Sequence, residues 1–257
     1  GFTPPVFASL PPILREDRTK KLGKRDGAKD ILNYRDEGYL PEAMINFLAL
    51  IGWNPGTEQE IFTKDELIKN FSLDRIQKSG GVFNEEKLRW MNKEYMKSVP
   101  LDVSRNEILK RLPEKTKLIA EKNPELFDAI IPVIVEHIDI FEDVKAFAER
   151  GEVDYYFIDP QYKKEELLWK DERDPHKTSE HLLQVVNLLD GLSTQNFTHG
   201  EVKATLWGYA SSVGRGSVLW PMRYALSGKD KSPDPFILSE ILGKEVVLRR
   251  IKNAIEV

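Results

Sequence analysis

Tyr34-Arg-Asp-Glu-Gly-Tyr-Leu-Pro-Glu-Ala-Met-Ile-Asn-Phe-Leu-Ala-Leu-Ile-Gly-Trp53 decides how the rest of this chain is read. Pro41 suits a first helical residue, because its ring presets φ and its missing N–H would find no helical partner there. Ala43, Met44, Phe47, Leu48 and Ile51 then recur at helical spacing and form one apolar face, and Gly52 closes the helix. The same grammar continues downstream. Thr63-x-x-Glu66 reads as a capping box ahead of Leu67, Ile68 and Phe71. Asn84 caps a helix whose Leu88, Met91 and Tyr95 share one stripe, and Pro100 ends that block. Ser104-x-x-Glu107 reads as a second capping box. Asn123-Pro124 starts a helix carrying Leu126, Phe127, Ile130 and Ile131, which Pro132 breaks or kinks. A further helix covers about 141–150 and stops at Gly151.

Tyr155-Tyr156-Phe157-Ile158 lacks helical period and reads as a short strand or a buried connector. Asp174-Pro175 reads as a linker. Beyond it a helix begins near Ser179, and Thr198-x-x-Glu201 opens another that ends near Gly214. Asp234-Pro235 opens the next, closed by Gly243, and a last amphipathic helix carries Val246, Val247, Ile251 and Ile255. Trp53, Trp90, Trp169 and Trp207 sit in apolar helical contexts and read as core. Upstream of Tyr34 the pattern changes. Pro4-Pro5 and Pro11-Pro12 oppose helix, and Val6-Phe7-Ala8 and Ile13-Leu14 read as short strands. The expected architecture is mainly α, in stacked helical bundles, with a short strand and loop piece at the N-terminus.

Composition narrows the function. The 257 residues are 40% hydrophobic and contain no Cys, which excludes disulfides and Cys-ligated zinc and fits a reducing, cytoplasmic setting. Four His, at 137, 176, 181 and 199, form no His-Glu-x-x-His pair, so no dedicated metal site is expected. No apolar run reaches the roughly 20 residues that a bilayer span needs. The N-terminus, without Met or a charged lead, reads as a cut inside a longer protein. The net charge of −4 is unevenly spread: +3 over residues 1–120, −9 over 121–174 and +2 over 175–257. An acidic middle therefore separates two mildly basic ends, and only the ends favour phosphate.

Lys21-Leu22-Gly23-Lys24-Arg25 is the most chemically loaded stretch. Two lysines three apart around a Gly, on a loop, can clamp a polyphosphate, since an ammonium places charge where phosphate oxygens gain it. Alone, such a run is more often solvated surface. Lys78-Ser79-Gly80-Gly81 offers a cation, a hydroxyl and a flexible backbone before a capped helix, and reads equally as a phosphate-holding loop or an ordinary turn. Gly214-Arg215-Gly216, followed by Trp220, Arg223 and Lys229, is the best RNA-facing candidate near the C-terminus. Residues 203–252 carry nine Lys/Arg against four Asp/Glu. Arg215 in a Gly-flanked turn can stack on or bond a base. Trp220 and Tyr224, four apart, share a face and read as packing.

The loop at 21–25 resembles the Lys-Met-Ser-Lys-Ser signature of class I aminoacyl-tRNA synthetases, in the form typical of bacterial-type glutamyl enzymes. The lead-in Pro4-Pro-Val-Phe-Ala-Ser-Leu-Pro-Pro-Ile-Leu14, the stretch 34–53, Val82-Phe83-Asn84 and Lys87-Leu-Arg-Trp-Met-Asn92 are similar to that family. So are Pro221-Met-Arg-Tyr-Ala-Leu-Ser-Gly228 and Leu242-Gly-Lys-Glu-Val-Val-Leu-Arg-Arg-Ile251. The resemblance spans the chain, thinly across 120–175. It implies that residues 1–30 end a catalytic Rossmann domain, that 31–100 form a stem-contact domain, and that 101–174 and 175–257 are two helical anticodon-binding subdomains. It implies that Lys24 contacts ATP and steadies the reacting phosphate, with Lys21 in support, and that Gly23 replaces the family's Ser and loosens the loop. It implies glutamate, ATP with Mg2+ and tRNA(Glu) as partners of a cytoplasmic, monomeric, membrane-free enzyme.

No nucleotide-binding first half and no His-Ile-Gly-His-like signature is present, so the chain alone is expected not to aminoacylate. The rival class is a helical protein-interaction or RNA-binding module without a ligase role; the loop at 21–25 favours the ligase. A glutaminyl-type enzyme reads its anticodon with β-barrels, which the helical stripes here oppose.

Overall fold

The computed structural model describes residues 2–5, 7, 9–23, 28–170 and 172–257. It is helical, and among the described residues the only strand-like pairings are three isolated bridges, Leu14 with Lys21, Leu14 with Val82, and Trp53 with Ile76. Ile13-Leu14 therefore forms one bridge on each side of Leu14 instead of a strand. Of the other expected strand, Val6-Phe7-Ala8, Val6 and Ala8 lie outside the described residues. The chain divides into two compact units, residues 1–111 with 134–145, and residues 112–133 with 146–257.

In the first unit, α1 (Ile31–Asp36) opens on a capping box in which Asp30 accepts from the Leu32 amide and the Asn33 side chain accepts from the Asp30 amide. Helix α2 (Pro41–Gly52) starts with Pro41, as its sequence predicts. Helix α3 (Lys64–Asn70) carries the Thr63–Glu66 box in full: the Glu66 amide donates to Thr63 Oγ and the Thr63 amide to Glu66 Oε2. Helix α4 (Glu85–Met96) is capped by Asn84, and α5 is Leu101–Leu109. Ser104 is not a cap. It lies inside α5, buried, because the chain already turns helical after Pro100.

Tyr34, Tyr39, Met44, Phe47, Leu88, Met91 and Ile140 form the main core of this unit. Each such side chain stabilises by about 1.5–3 kcal/mol when removed from water. Leu48, expected on the buried face, is exposed, and Asn46 takes the inner position. That buried amide is satisfied: Asn46 Oδ1 accepts from the Phe62 amide at 2.6 Å and from the Tyr95 hydroxyl at 2.6 Å, and Nδ2 donates to Glu60 O at 2.9 Å. Asn92 does the same work, accepting from the Leu40 amide and donating to Asp139 O. Two buried amides, each bonded through both oxygen and nitrogen, fix the register of the loops they bond, which apolar contact alone would leave free.

The second unit includes α6 (Glu114–Lys122), the N-terminal part of α7 (Pro124–His137), most of α8 (Asp143–Glu149), and α9 (Asp154–Phe157). Pro132 lies within α7 without ending it. The aromatic run at 155–158 is not a strand: Tyr155–Phe157 lie in a single helical turn with Tyr155 4% and Tyr156 2% exposed, a connector buried at its start, and Ile158 beyond it is exposed. Burial pushes the Tyr156 phenol up to about 12.

Four longer helices follow: α10 (Pro175–Asp190), α11 (His199–Val213), α12 (Arg215–Ser227) and α13 (Pro235–Glu256). Each of the four packs against the other three. Asp174-Pro175 is a helix start, not a linker, since Asp174 accepts from the His176 amide and Pro175 occupies the first helical position. Thr198 caps α11 by accepting from the Glu201 amide. Gly243 interrupts α13 with φ +76° and ψ 159°, so the expected division into two helices holds.

Candidate RNA-facing sites

Two groups of candidate residues lie one in each unit. In the first unit, Leu14 is the hinge of the arrangement. Its amide donates to Gly81 O at 2.8 Å and its carbonyl accepts from the Phe83 amide at 3.0 Å. On its other side it bridges Lys21, and the Leu22 amide donates to Ile13 O at 2.9 Å. The lead-in, Lys21 and the loop containing Lys78 and Ser79 are thus tied through one residue.

Gly80 and Gly81 permit this. A Cβ on Gly80 would stand 2.6 Å from Pro12 O, and one on Gly81 would stand 1.9 Å from Ile51 O. Close backbone approach, rather than mobility, explains both glycines. Beside them an open cavity of about 520 Å³ is lined by Arg18, Gln77, Ser79 and Lys87 over a floor of Leu50 and Ile51. Lys21, Lys78 and Ser79 are exposed. Among the described residues Lys78 makes no ion pair, whereas Lys87 is paired with Glu60. The first amides of α4 do not all await an anion, because Asn84 Oδ1 already accepts from the Lys87 amide at 2.7 Å.

Gly23 O accepts from the Ala28 amide at 3.4 Å, closing the loop across its base. Lys24 and Arg25 lie outside the described residues. Lys29, just beyond the loop, binds Glu85 at 2.6 Å and Glu37 at 3.0 Å. Burial opposes its charge, but the hydrogen bonds it donates to both carboxylates prevail and raise its pKa. Lys29 is therefore a clamp from the loop's end to α1 and α4. No local motif marks it, because both partners are brought to it by the fold.

In the second unit the candidates separate by what they already hold. Arg223 donates to Asp230 O at 2.7 Å and to Ser232 O at 3.5 Å, with its guanidinium carbon 4.9 Å from the Trp220 ring centroid. Lys229 donates to Arg150 O at 2.9 Å. Both order the 228–234 loop, which begins at Gly228 in the left-handed region. Arg215 differs. It is the first residue of α12, not part of a turn, and its guanidinium carbon lies 4.4 Å from the Trp207 ring centroid. Gly216 faces Trp169, where a Cβ would stand 2.1 Å from Nε1. Trp169, Trp220, Tyr224 and Tyr162 then follow ring against ring at 5.4, 6.0 and 6.1 Å.

Two tryptophans expected in the core are not there. Trp90 is 42% and Trp207 36% exposed, whereas Trp53 is 2% exposed. Arg250 is 2% exposed. Its Nε donates to Asp159 Oδ1 at 2.9 Å, Nη1 to Tyr155 O at 2.7 Å and Leu226 O at 2.6 Å, and Nη2 to Ile158 O at 3.2 Å. Its neighbour Arg249 reaches the same Asp159 oxygen from the surface at 2.8 Å. Among the described residues no group of three or more His, Asp and Glu is placed to hold a metal, and no helix is long and apolar enough to cross a membrane.

The relatives of the chain specify its class. The anticodon binding domain family matches residues 85–255, and the catalytic domain of class I tRNA synthetases (E and Q) matches residues 2–90. The chain belongs to the anticodon-binding domain family. Within it the likeness is to glutamate enzymes. The glutamate–tRNA ligase of Chlorobaculum parvum is 34% identical over 270 residues, covering 100% of this chain and 51% of the relative. That of Francisella philomiragia is 35% identical over 257 residues, covering 98% and 52%. A crystal structure of a glutamate tRNA ligase from Elizabethkingia meningosepticum in complex with its amino acid superposes with TM-score 0.68 at 30% identity, covering 98% of this chain and 52% of that one. The chain spans about half the length of the curated relatives it matches.

Proposed function

We propose that this chain is the tRNA-gripping portion of a glutamate–tRNA ligase, which joins glutamate to tRNA(Glu) through an ATP-dependent glutamyl-adenylate. One observation carries the reading: the match to glutamate–tRNA ligases runs along the whole chain, with the anticodon-binding family over 85–255. In this reading residues 31–100 contact the tRNA stem, and 101–174 and 175–257 form two anticodon-side subdomains. Lys24 steadies the reacting phosphate of ATP, whose Mg2+ accompanies it as substrate, and Lys21 assists from its bridge beside Leu14. Lys78 and Ser79 hold backbone phosphate. Arg215 meets a base, and Arg223 and Lys229 shape the loop that faces it while keeping spare N–H donors. The parent enzyme acts as a cytoplasmic monomer.

Adenylate formation needs the nucleotide and the amino acid held together, and that positioning can lower a barrier by about 7–11 kcal/mol. A signature loop without its other half lacks it. The 257-residue chain is expected to bind tRNA(Glu) with an affinity that falls steeply between about 50 and 200 mM salt, as phosphate contacts require. It is expected to show no glutamate-dependent pyrophosphate exchange. Exchange activity would overturn the division of labour. No tRNA binding at low salt would favour a helical protein-interaction module.

A further inference from the structure

The rings of the second unit sort into two groups. Trp169, Trp220 and Tyr224 pack on one another, whereas Trp207 is 36% exposed on α11. The buried stripe of that helix is Val202, Leu206 and Ala210, spaced four apart. Trp207 stands one residue past Leu206, so the helix turns its ring away from the core. Large rings dominate core burial, and an exposed one forgoes that gain.

Two cations lie on this ring. The Arg215 guanidinium carbon is 4.4 Å and Lys203 Nζ 5.2 Å from its centroid. Lys203 reaches it from one turn earlier on α11. Arg215 reaches it from the start of α12, because Gly214 at φ +112° turns the chain between the two helices. Among the described residues neither cation makes an ion pair. Gly208, next to Trp207, sits in mid-helix with nothing within 4 Å of where its Cβ would stand. Packing inside the chain does not require that glycine.

We propose that Trp207 is a stacking platform for one unpaired nucleobase of a bound RNA, with Lys203 meeting the adjoining phosphate and Arg215, stacked on the ring, bonding the base. The inference rests on the tRNA-binding reading above. A nucleotide offers a flat π-face and an adjoining anion at short separation, which is the complement of a ring flanked by two cations. The flexible Lys203 stem lets its ammonium leave the ring as the base enters, while the Arg215 guanidinium stays stacked. An acidic protein partner would complement the cations and leave the ring unused.

The test uses the whole 257-residue chain with tRNA(Glu), a single-stranded RNA oligomer and a duplex RNA of equal length, each titrated at two salt concentrations. Trp207→Ala is expected to weaken tRNA and single-strand binding about tenfold, with the thermal midpoint and the salt slope unchanged. Trp207→Phe is expected to restore most of the loss. Lys203→Ala is expected to flatten the salt slope by about one. Duplex RNA is expected to bind equally to the parent chain and Trp207→Ala. If the parent chain binds tRNA and Trp207→Ala binds as tightly, the platform is overturned while the tRNA reading stands. If the parent chain binds no tRNA at low salt, both fall together.

Discussion

The two candidate regions handle their cations in opposite ways. Around Leu14 the backbone does the holding. Two isolated bridges and two glycines fix the chain path, and the side chains of Lys21 and Lys78 lie at the surface and make no ion pair among the described residues. In the four-helix region the cations do the holding. Arg250, Arg223, Lys229 and Lys244 each donate to main-chain carbonyls that helix ends and loops leave unbonded. A count of Lys and Arg over 203–252 therefore overstates the charge available to a ligand. The contrast teaches that the carbonyls around a cation, more than its exposure, decide whether it serves the fold or a partner.

The largest test of this contrast is Arg250→Met. It leaves three carbonyls without their donor and Asp159 with Arg249 alone, and the loss of this buried, hydrogen-bonded cation is expected to cost about 3–5 kcal/mol. Arg249→Ala, at the surface end of the same Asp159, is expected to cost under about 1 kcal/mol. Urea denaturation of both variants measures the difference, and equal losses would erase the distinction between the two arginines. Next comes Gly81→Ala, whose Cβ would collide with Ile51 O. An expected cost of about 1–3 kcal/mol should appear as lost hydrogen-exchange protection at the Leu14 and Phe83 amides, with α10–α13 unaffected.

Acid provides a third test. Burial works to raise the Asp159 pKa, but its bonds to Arg249 and Arg250 hold it below the ordinary 3.8. A depressed carboxylate contributes stability that is present above its unfolded pKa and lost as pH falls through the folded value. The second unit should therefore weaken below about pH 4, and Arg250→Met should blunt that dependence. The smallest effects separate two lysines. Lys229→Ala is expected to cost about 1 kcal/mol through the orphaned Arg150 carbonyl. Lys78→Ala is expected to leave the melting curve in place and lower the salt slope of tRNA binding by about one. A Lys78→Ala variant that melts early would place that lysine with the structural cations.

Local chemistry is legible where one segment decides it. The Thr63–Glu66 box, the Asn84 cap, Pro41 at a helix start and the break at Gly243 all follow from a few adjacent residues. The two Asp-Pro pairs are instructive because their flanking residues suggest different roles, a linker at 174–175 and a helix start at 234–235. Both are helix starts, since the same capping carboxylate and preset φ operate in each. Ser104 shows the converse: a matching motif has no capping role once an earlier turn has begun the helix. Trp207 reads as core on its hydrophobicity alone, although the stripe at 202, 206 and 210 already places it off the buried face. The role of Arg250 is not legible at all. Its partners come from α9, the turn after it and the end of α12, and only tertiary assembly brings those carbonyls together.

Gly243 has a consequence for phase. An unbroken helix advances about 100° per residue, so five residues beyond Leu242 a side chain would point about 140° away from it. Yet Leu238, Leu242, Val247 and Ile251 are all buried. The left-handed glycine, with open space around it, resets the rotation and lets the two helical segments of α13 present two consecutive apolar ridges inward. In effect the chain corrects its own screw pitch at a single residue, and the second half of α13 can bring Arg250 inward because that correction was made two turns earlier.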